Sequence, residues 1–560
     1  MGGPVTQRDA QVAIASAGLL ASIDWVFILS TNVRLVSAFN LPLAVFAGWL
    51  LWRSLEWPLV GDATVLHFIA GQMKMGAVPY RDIVDFEMPL TYLIHAVVVA
   101  IGGMSDGAWR AFDLAATAVM SALILMLVAP AGRAVAILAV LSILVTHLLH
   151  GPLAAGQRDF LMSILALVCA LMSVWAAEDQ GHRSLWLLLA GAFSMTAALI
   201  KPSGILLLFL PALLVRLDWP GTIWITAGAL SVGLLMFGIL ADWGGGGAFV
   251  TMTREVLPLY ASMDTRSVAT TLAAVQRIAP IAGLAVAASL SIAVPQPPYL
   301  WVMIGLAAFG VIHLLLQRMG VYHGYPLGVG FASGLAIAAA LGIAIPKPPR
   351  VRAMIALSAF GLIHLLVQRK GYFYHVYPVG VGLACWGAWA LAKLSTWRVL
   401  VCLILTASGV GWLAVSVPGR EIYDPSLRAA SAMQAALESH LPPGARVQMM
   451  DSDHGAFLAM ARAGMRQATP HVQWFPLLFG KDAVRRHFLA ALEADPPAAV
   501  LLTNSQWPNK AGFEAADDWP ELTAFLASHY DLNSTGQEDF GATLPTWQPI
   551  KWRLSLKRAP

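Results

Sequence analysis

Charge is what this 560-residue chain has least of: Asp, Glu, Lys and Arg together make up 12% of it, about half the share found in soluble domains. That scarcity excludes an ordinary soluble protein, whose surface would then be one large apolar patch. With 58% hydrophobic residues and a mean hydropathy of +0.69, the composition fits a bilayer as solvent. No basic tract accompanies the net charge of +4, so nucleic acid is not an expected partner. Cysteine is scarce as well. Cys169, Cys385 and Cys402 each lie in an apolar run, without CxxC or Cys/His spacing, which leaves neither a disulfide framework nor a zinc site. The glycine run Gly244–Gly247 has no strand before it and reads as a hinge rather than a nucleotide loop. A clean signal peptide is missing too: residues 11–31 are apolar but contain Asp24, and they read as an extra span or an interfacial helix.

What the chain does have is long apolar runs. A spanning helix needs roughly 20 mostly apolar residues. Runs of that kind fall at 36–53, 108–129, 132–149, 158–177, 184–200, 203–217, 220–241, 277–294, 300–316, 327–345, 353–367, 378–393 and 397–417, giving 13 spans, or 14 with 11–31. Two long polar regions interrupt them, 54–107 and 242–276. In the first, 62–74 and 88–103 are expected as helices along the membrane surface. From 418 the composition changes and the pattern turns α/β, with helices at 426–440 and 481–494 and strands at Arg446–Met450, Ala498–Thr503 and Trp552–Lys557. The expected architecture is an α-helical polytopic membrane domain, 1–417, followed by a small extracytoplasmic α/β domain, 418–560.

Residues 284–382 hold a tandem repeat of a two-span hairpin. PQPPYLWVMIGLAAFGVIHLLLQRMGVYHGYPLGVG returns as PKPPRVRAMIALSAFGLIHLLVQRKGYFYHVYPVGVG. An even number of spans preserves orientation, so both QR-x-G loops face one side. Counting spans from 36–53 puts 54–107, Gly151–Arg158, Lys201–Ser203, 242–276, Gln317–Pro326, Gln368–Pro378 and the tail on that same side. The opposite loops are short and include the purely basic sets Lys347, Arg350, Arg352 and Lys393, Arg398, as the positive-inside tendency expects.

The polar residues on the first side are the candidates for chemistry. Asp62 opens a surface helix at the water–lipid boundary, where it reads either as a helix cap or as a base taking a proton from an acceptor hydroxyl. Tyr80, Arg81, Asp82, Asp85 and Glu87 form a cluster that is either a solvated turn or a cradle for a polar acceptor or a phosphate. Arg158 and Asp159, adjacent near hydrocarbon, must be paired or functional. Lys201 reads as a snorkelling anchor or a phosphate contact. The loop Gln368, Arg369, Lys370, Tyr372, Phe373, Tyr374 and His375 combines cations, phenols and imidazole; it reads either as an aromatic belt with basic anchors or as a set suited to a phosphate head group whose lipid tail stays in the bilayer. Tyr260, Asp264 and Arg266 give a weaker signal. His313 and His364 read as buried helix histidines. Where the second repeat copy has Lys370 the first has Met319, which points to the second copy as the functional one.

The first loop resembles that of the C-type membrane glycosyltransferases, in the branch of the protein O-mannosyltransferases and the lipid A aminoarabinose transferase. The likeness is carried by Asp62, Ala70, Gly76, Pro79-Tyr80-Arg81-Asp82, Pro89 near Tyr92, and Arg110, with Gln368-Arg369-Lys370-Gly371, Tyr374-His375 and Pro378 resembling the later lipid-phosphate loop. The resemblance implies an enzyme of the bacterial inner membrane with its site on the periplasmic side. It would transfer a sugar with inversion from a polyprenyl-phosphate donor to an extracytoplasmic glycolipid, polysaccharide or protein. Asp62 would be the base, and Arg158, Lys201 and Lys370 would stabilise the leaving phosphate. Many members carry an acidic pair where this chain has Asp62-Ala63; a divalent cation is therefore an open expectation, and Asp82 or Asp85 is the alternative base. A transporter or flippase for lipid-linked glycans is the competing reading. It would place its polar residues near the bilayer midplane.

Overall fold

The computed structural model describes residues 7–215, 218–262, 265–290, 348–417, 423–450, 455–472, 482–505, 511–512, 518–539 and 549–558, with residues 7–30 described by their backbone alone. Among these residues, seven helices are long and apolar enough to cross a membrane: Thr31–Ser54, Asp106–Ala131, Arg158–Glu178, Trp219–Asp242, Val268–Leu290, Pro349–Gln368 and Thr396–Ser416. The chain is a multi-pass membrane protein with a small α/β unit at its C-terminal end. Its helices are α1 (Gln7–Ser54), α2 (Asp62–Lys74), α3 (Pro89–Gly102), α4 (Asp106–Val128), α5 (Arg133–Leu149), α6 (Arg158–Glu178), α7 (Arg183–Ala198), α8 (Leu210–Leu214) and α9 (Trp219–Asp242), followed by those named by range below.

Local chemistry sets the ends of these helices. Ser105 caps α4 by accepting from Ala108 N, Asp218 caps α9 by accepting from Gly221 N, and Pro89 opens α3 where its missing N–H costs nothing. Helix α7 can lie tight on α9 because Gly191 and Gly228 are bare at the crossing. A Cβ on Gly191 would stand 2.0 Å from Ile225 O, and one on Gly228 1.9 Å from Leu188 O. Small residues at the crossing are how membrane helices gain packing without a hydrophobic driving force.

Three expectations from the sequence change. The run 11–31 and the span 36–53 form one helix, α1. The expected span 203–217 is a 3-10 segment, Pro202–Phe209, followed by the five-residue α8. Pro211 offers no N–H to a helix bond, and the tighter winding, about 2 Å per residue, covers depth with fewer residues. The expected surface helix at 62–74 forms but is mostly buried: Phe68 packs on Phe457, ring centroids 5.7 Å apart, so the tail covers it. The spans expected at 300–316 and 327–345, and the first repeat loop with His313, Gln317, Arg318 and Met319, lie outside the described residues, as does Asp264.

The tail forms a sheet in the order β2-β1-β3-β6-β5, with β4 paired to β3. Here β1 is Arg446–Met450, β2 Arg466–Gln467, β3 Ala499–Ser505, β4 Ala511–Gly512, β5 Tyr530–Glu538 and β6 Ile550–Lys557. β1 runs parallel to β2 and β3; β6 is antiparallel to β3 and β5. Buried β1 and β3, Val447, Met449, Leu501 and Leu502, supply its core. The unit is docked on the first loop by Gln72 Nε2 donating to Met465 O at 2.9 Å, Val84 N donating to Pro470 O at 2.7 Å, and Arg462 paired with Asp106 at 3.0 Å.

The two ends of the bundle are distinct. At one end Arg350 pairs with Glu178 at 3.0 Å and Arg183 with Asp218 at 3.0 Å, joining the ends of α6, α7, α9 and the helix Pro349–Gln368. At the other lie the first loop, the turn before α6, Lys201, the loop 369–376 and the sheet. The chain directions thus gather the polar segments at one end.

Candidate active site

That end contains a cavity of about 230 Å³ lined by Gly61, Asp62, Val65, Leu66, Asp85, Phe86, Glu87, Leu153, Gln157, Arg158, Tyr260, Tyr372, Phe373 and Tyr374. Asp62 is the first residue of α2, placed by Gly61 in a left-handed backbone conformation that glycine adopts without strain. Arg158 is the first residue of α6. Its Nη2 donates to Asp62 Oδ2 at 2.5 Å, and its Nη1 pairs with Glu87. The Arg158 side chain is 10% exposed and Glu87 13%, whereas Asp62 is 41% exposed. The arginine is therefore fixed, and the first-loop acid reaches into solvent-accessible space.

The turn that delivers Arg158 is held from inside the bundle. Gly156 N donates to Asp113 Oδ1 at 2.7 Å. Gly156 has φ +61, and a Cβ there would meet Trp109 Cζ2 at 2.1 Å, so only glycine fits. Asp113 is buried and also pairs with Arg110 and with His147 Nε2 at 3.2 Å, while His147 Nδ1 lies 2.9 Å from Tyr377 O–H. This network ties α4, α5 and the helix Tyr377–Leu391 behind the site. Asp113 and His147 lie outside the candidate residues named from the sequence. Their signal was available, since an ionisable residue within a span calls for a partner or a role.

The remaining expected residues fall into layers. Asp85 is buried and accepts from Tyr92 O–H at 2.7 Å. Burial pushes its carboxyl above the ordinary range, against the opposing pull of the Tyr92 hydrogen bond. Tyr80 has φ +68 and donates to Glu87 O at 2.7 Å, so it shapes the turn rather than lining the cavity. Arg81 and Asp82 pair with each other at 2.7 Å away from the cavity lining, and the Arg81 hydrogen bond holds the Asp82 carboxyl below its usual value.

Asp159 points the other way from Arg158. It is buried, accepts from Lys201 Nζ at 2.5 Å, and lies 2.6 Å from His364 Nε2. Lys201 is thus an ion-pair partner behind the wall, 5.8 Å from the Tyr374 ring. Lys370 is buried as well, its Nζ 3.2 Å from the Tyr260 ring centroid and 3.2 Å from Tyr260 O. His375 packs against His364, centroids 6.1 Å apart. Gln368 ends its helix, and Arg369 (φ +51) exchanges bonds with Arg266 across the loop. The loop 368–375 therefore gives the cavity its aromatic wall, Tyr372, Phe373 and Tyr374, and keeps Lys370 one layer back. Phe86 completes that wall by stacking on Tyr260, centroids 3.6 Å apart at 14°. These aromatic residues are what sequence reasoning undervalued.

The carboxylates that line the cavity, Asp62, Asp85 and Glu87, each have a partner in this structure. Asp62 and Glu87 share one guanidinium and Asp85 takes the Tyr92 hydroxyl. Among the described residues no three His, Cys, Asp or Glu side chains group as ligands.

The fold and site define a helical membrane protein with a carboxylate–guanidinium cavity at one end of its bundle. No family model and no curated protein matches the sequence. Solved structures do show similarity. One is ArnT from Cupriavidus metallidurans in the apo state, at 14% identity and TM-score 0.45, covering 91% of this chain and 97% of that one. ArnT bound to undecaprenyl phosphate is similar at 15% identity and TM-score 0.44, over 92% and 98%. The oligosaccharyltransferase AglB from Archaeoglobus fulgidus, in complex with an inhibitory peptide and a dolichol-phosphate, is similar at 12% identity and TM-score 0.44, over 90% and 80%.

Proposed function

We propose that the chain is an inverting glycosyltransferase that moves a sugar from a polyprenyl-phosphate donor to an acceptor outside the cytoplasm. The supporting observation is the meeting of Asp62 and Arg158 in a cavity walled by aromatic residues at one end of a membrane bundle. In this reading the Asp62 carboxylate takes the proton of the acceptor hydroxyl as its oxygen attacks the anomeric carbon from the face opposite the phosphate. The new glycosidic C–O bond forms while the bond from the anomeric carbon to the phosphate oxygen breaks. The electron pair leaves with the polyprenyl phosphate, whose added charge is met by Arg158. Glu87, on the other arm of the guanidinium, holds the place the phosphate takes. The aromatic wall stacks on the sugar, and the prenyl chain remains among the apolar helices.

Mass spectrometry of glycolipids and glycoproteins from cells with the gene, without it, and with Asp62→Asn tests this. A glycan present only with the wild-type gene supports the proposal; glycan profiles identical in all three overturn it.

A further inference from the structure

The end of the bundle opposite Asp62 holds a second cavity, of about 520 Å³, a size typical of small-molecule sites. It lies between α1, the start of α5 and the end of the helix Tyr377–Leu391, and is lined by apolar side chains that include Val36, Val135, Ile137 and Leu391. Along α1, Asn32 stands roughly 33 Å from Ser54 at about 1.5 Å per residue, one hydrocarbon thickness away from the site.

Two buried asparagines give this apolar space its chemistry. Asn32 Nδ2 donates to Leu394 O and Asn40 Nδ2 to Ala134 O, both at 2.8 Å. Their side chains are 4% and 7% exposed and both line the cavity. The Oδ1 atom of each is without a hydrogen-bond partner among the described residues. A buried carbonyl oxygen in that position calls for a donor. Arg133 also lines the cavity and is exposed, with Arg34 and Lys393 exposed at the same end. The acids nearby, Glu178 and Asp218, are already held by Arg350 and Arg183. The mouth is cationic, the interior apolar, and the wall offers two acceptors.

We infer that this cavity binds one membrane phospholipid, its phosphate on Arg133, an acyl chain along α1, and a head group that donates a hydrogen bond to the oxygen of Asn40, whose amide is held on Ala134 beside that arginine. An ethanolamine ammonium and a glycerol hydroxyl both supply such a donor; a choline head group does not. The lipid joins α1 to the rest of the bundle, and its binding is independent of the transfer proposed at the other end.

The full-length protein, purified in detergent and stripped of lipid, is titrated with phosphatidylethanolamine, phosphatidylglycerol and phosphatidylcholine of the same acyl composition. Bound lipid is counted by native mass spectrometry. One phosphatidylethanolamine or phosphatidylglycerol should be retained per chain, at least about tenfold more tightly than phosphatidylcholine, and whichever of the two is favoured names the head group. Arg133→Gln should weaken that retention about tenfold, and Ala44→Trp, at an exposed lining position, should abolish it while leaving the melting temperature of the lipid-free protein unchanged. Equal retention of all three lipids, or wild-type retention by both variants, overturns the inference.

Discussion

Arg158 donates to Asp62 at 2.5 Å and ties the first residue of α6 to the first residue of α2. Residues 96 positions apart are thereby joined at the cavity. The pairing holds the Asp62 carboxylate in a fixed direction at the cavity, which is what a proton acceptor requires. Arg158→Lys keeps the charge but cannot bridge two carboxylates with a planar fork. Transfer should fall by about 100-fold in Arg158→Lys, measured as product formed per unit of protein, with the melting temperature within a few degrees of wild type.

Glu87 competes for the same guanidinium. In Glu87→Gln that competition weakens, so the KM for the lipid-linked donor should drop about threefold or more with kcat near wild type. Steady-state kinetics with a detergent-soluble polyprenyl-phosphate sugar decides it; a raised KM removes Glu87 from the placeholder role.

Asp113 acts on the turn before α6 and not on substrate. Asp113→Ala leaves the buried Arg110 without its carboxylate and releases Gly156 N. A loss on the order of 3 kcal/mol is expected, read as a lowered melting temperature in detergent. A variant as stable as wild type would show that the network does not hold the turn.

Buried Asp85 has a pKa raised by desolvation, so the folded state favours its protonated form. That contribution is complete below the ordinary Asp value, about 4, and is lost as pH rises through the raised value. Asp85→Asn keeps an acceptor for Tyr92 and should therefore equal or exceed wild type in melting temperature at pH 7.5, the two converging near pH 4. A large loss at pH 7.5 would mean the charged form is needed.

His67 gives the opposite slope. Burial lowers its pKa to about 4, against the hydrogen bond to Ala63 O. A depressed histidine supplies stability above its unfolded pKa, near 6.5, and loses it as pH falls toward 4. Between pH 7 and pH 4.5 the protein should lose on the order of 2 kcal/mol through this residue, and His67→Phe should flatten that part of the profile.

The membrane helices were legible because apolar runs of spanning length need no tertiary information. The strand at Arg446–Met450 was placed to the residue, and the gathering of polar loops at one end followed from counting spans. The site was legible in its charges and not in its layers. Sequence marks Lys201 and Lys370 as cations near a membrane end, but whether a cation faces a cavity depends on its neighbours. Here Asp159 and Tyr260 draw them back from the lining. The burial of α2 was hidden for a similar reason: its apolar residues cover most of its surface, and the partner that buries them, Phe457, lies in the tail.

In the proposed reaction Asp62 serves as base in a cavity that takes a lipid-linked sugar. The direct test is transfer by purified protein from a synthetic polyprenyl-phosphate sugar to an envelope extract, comparing wild type with Asp62→Asn at matched folded amounts. The rate should be lower by about 100-fold or more in the variant, with donor binding kept. Transfer by Asp62→Asn at the wild-type rate would contradict that role.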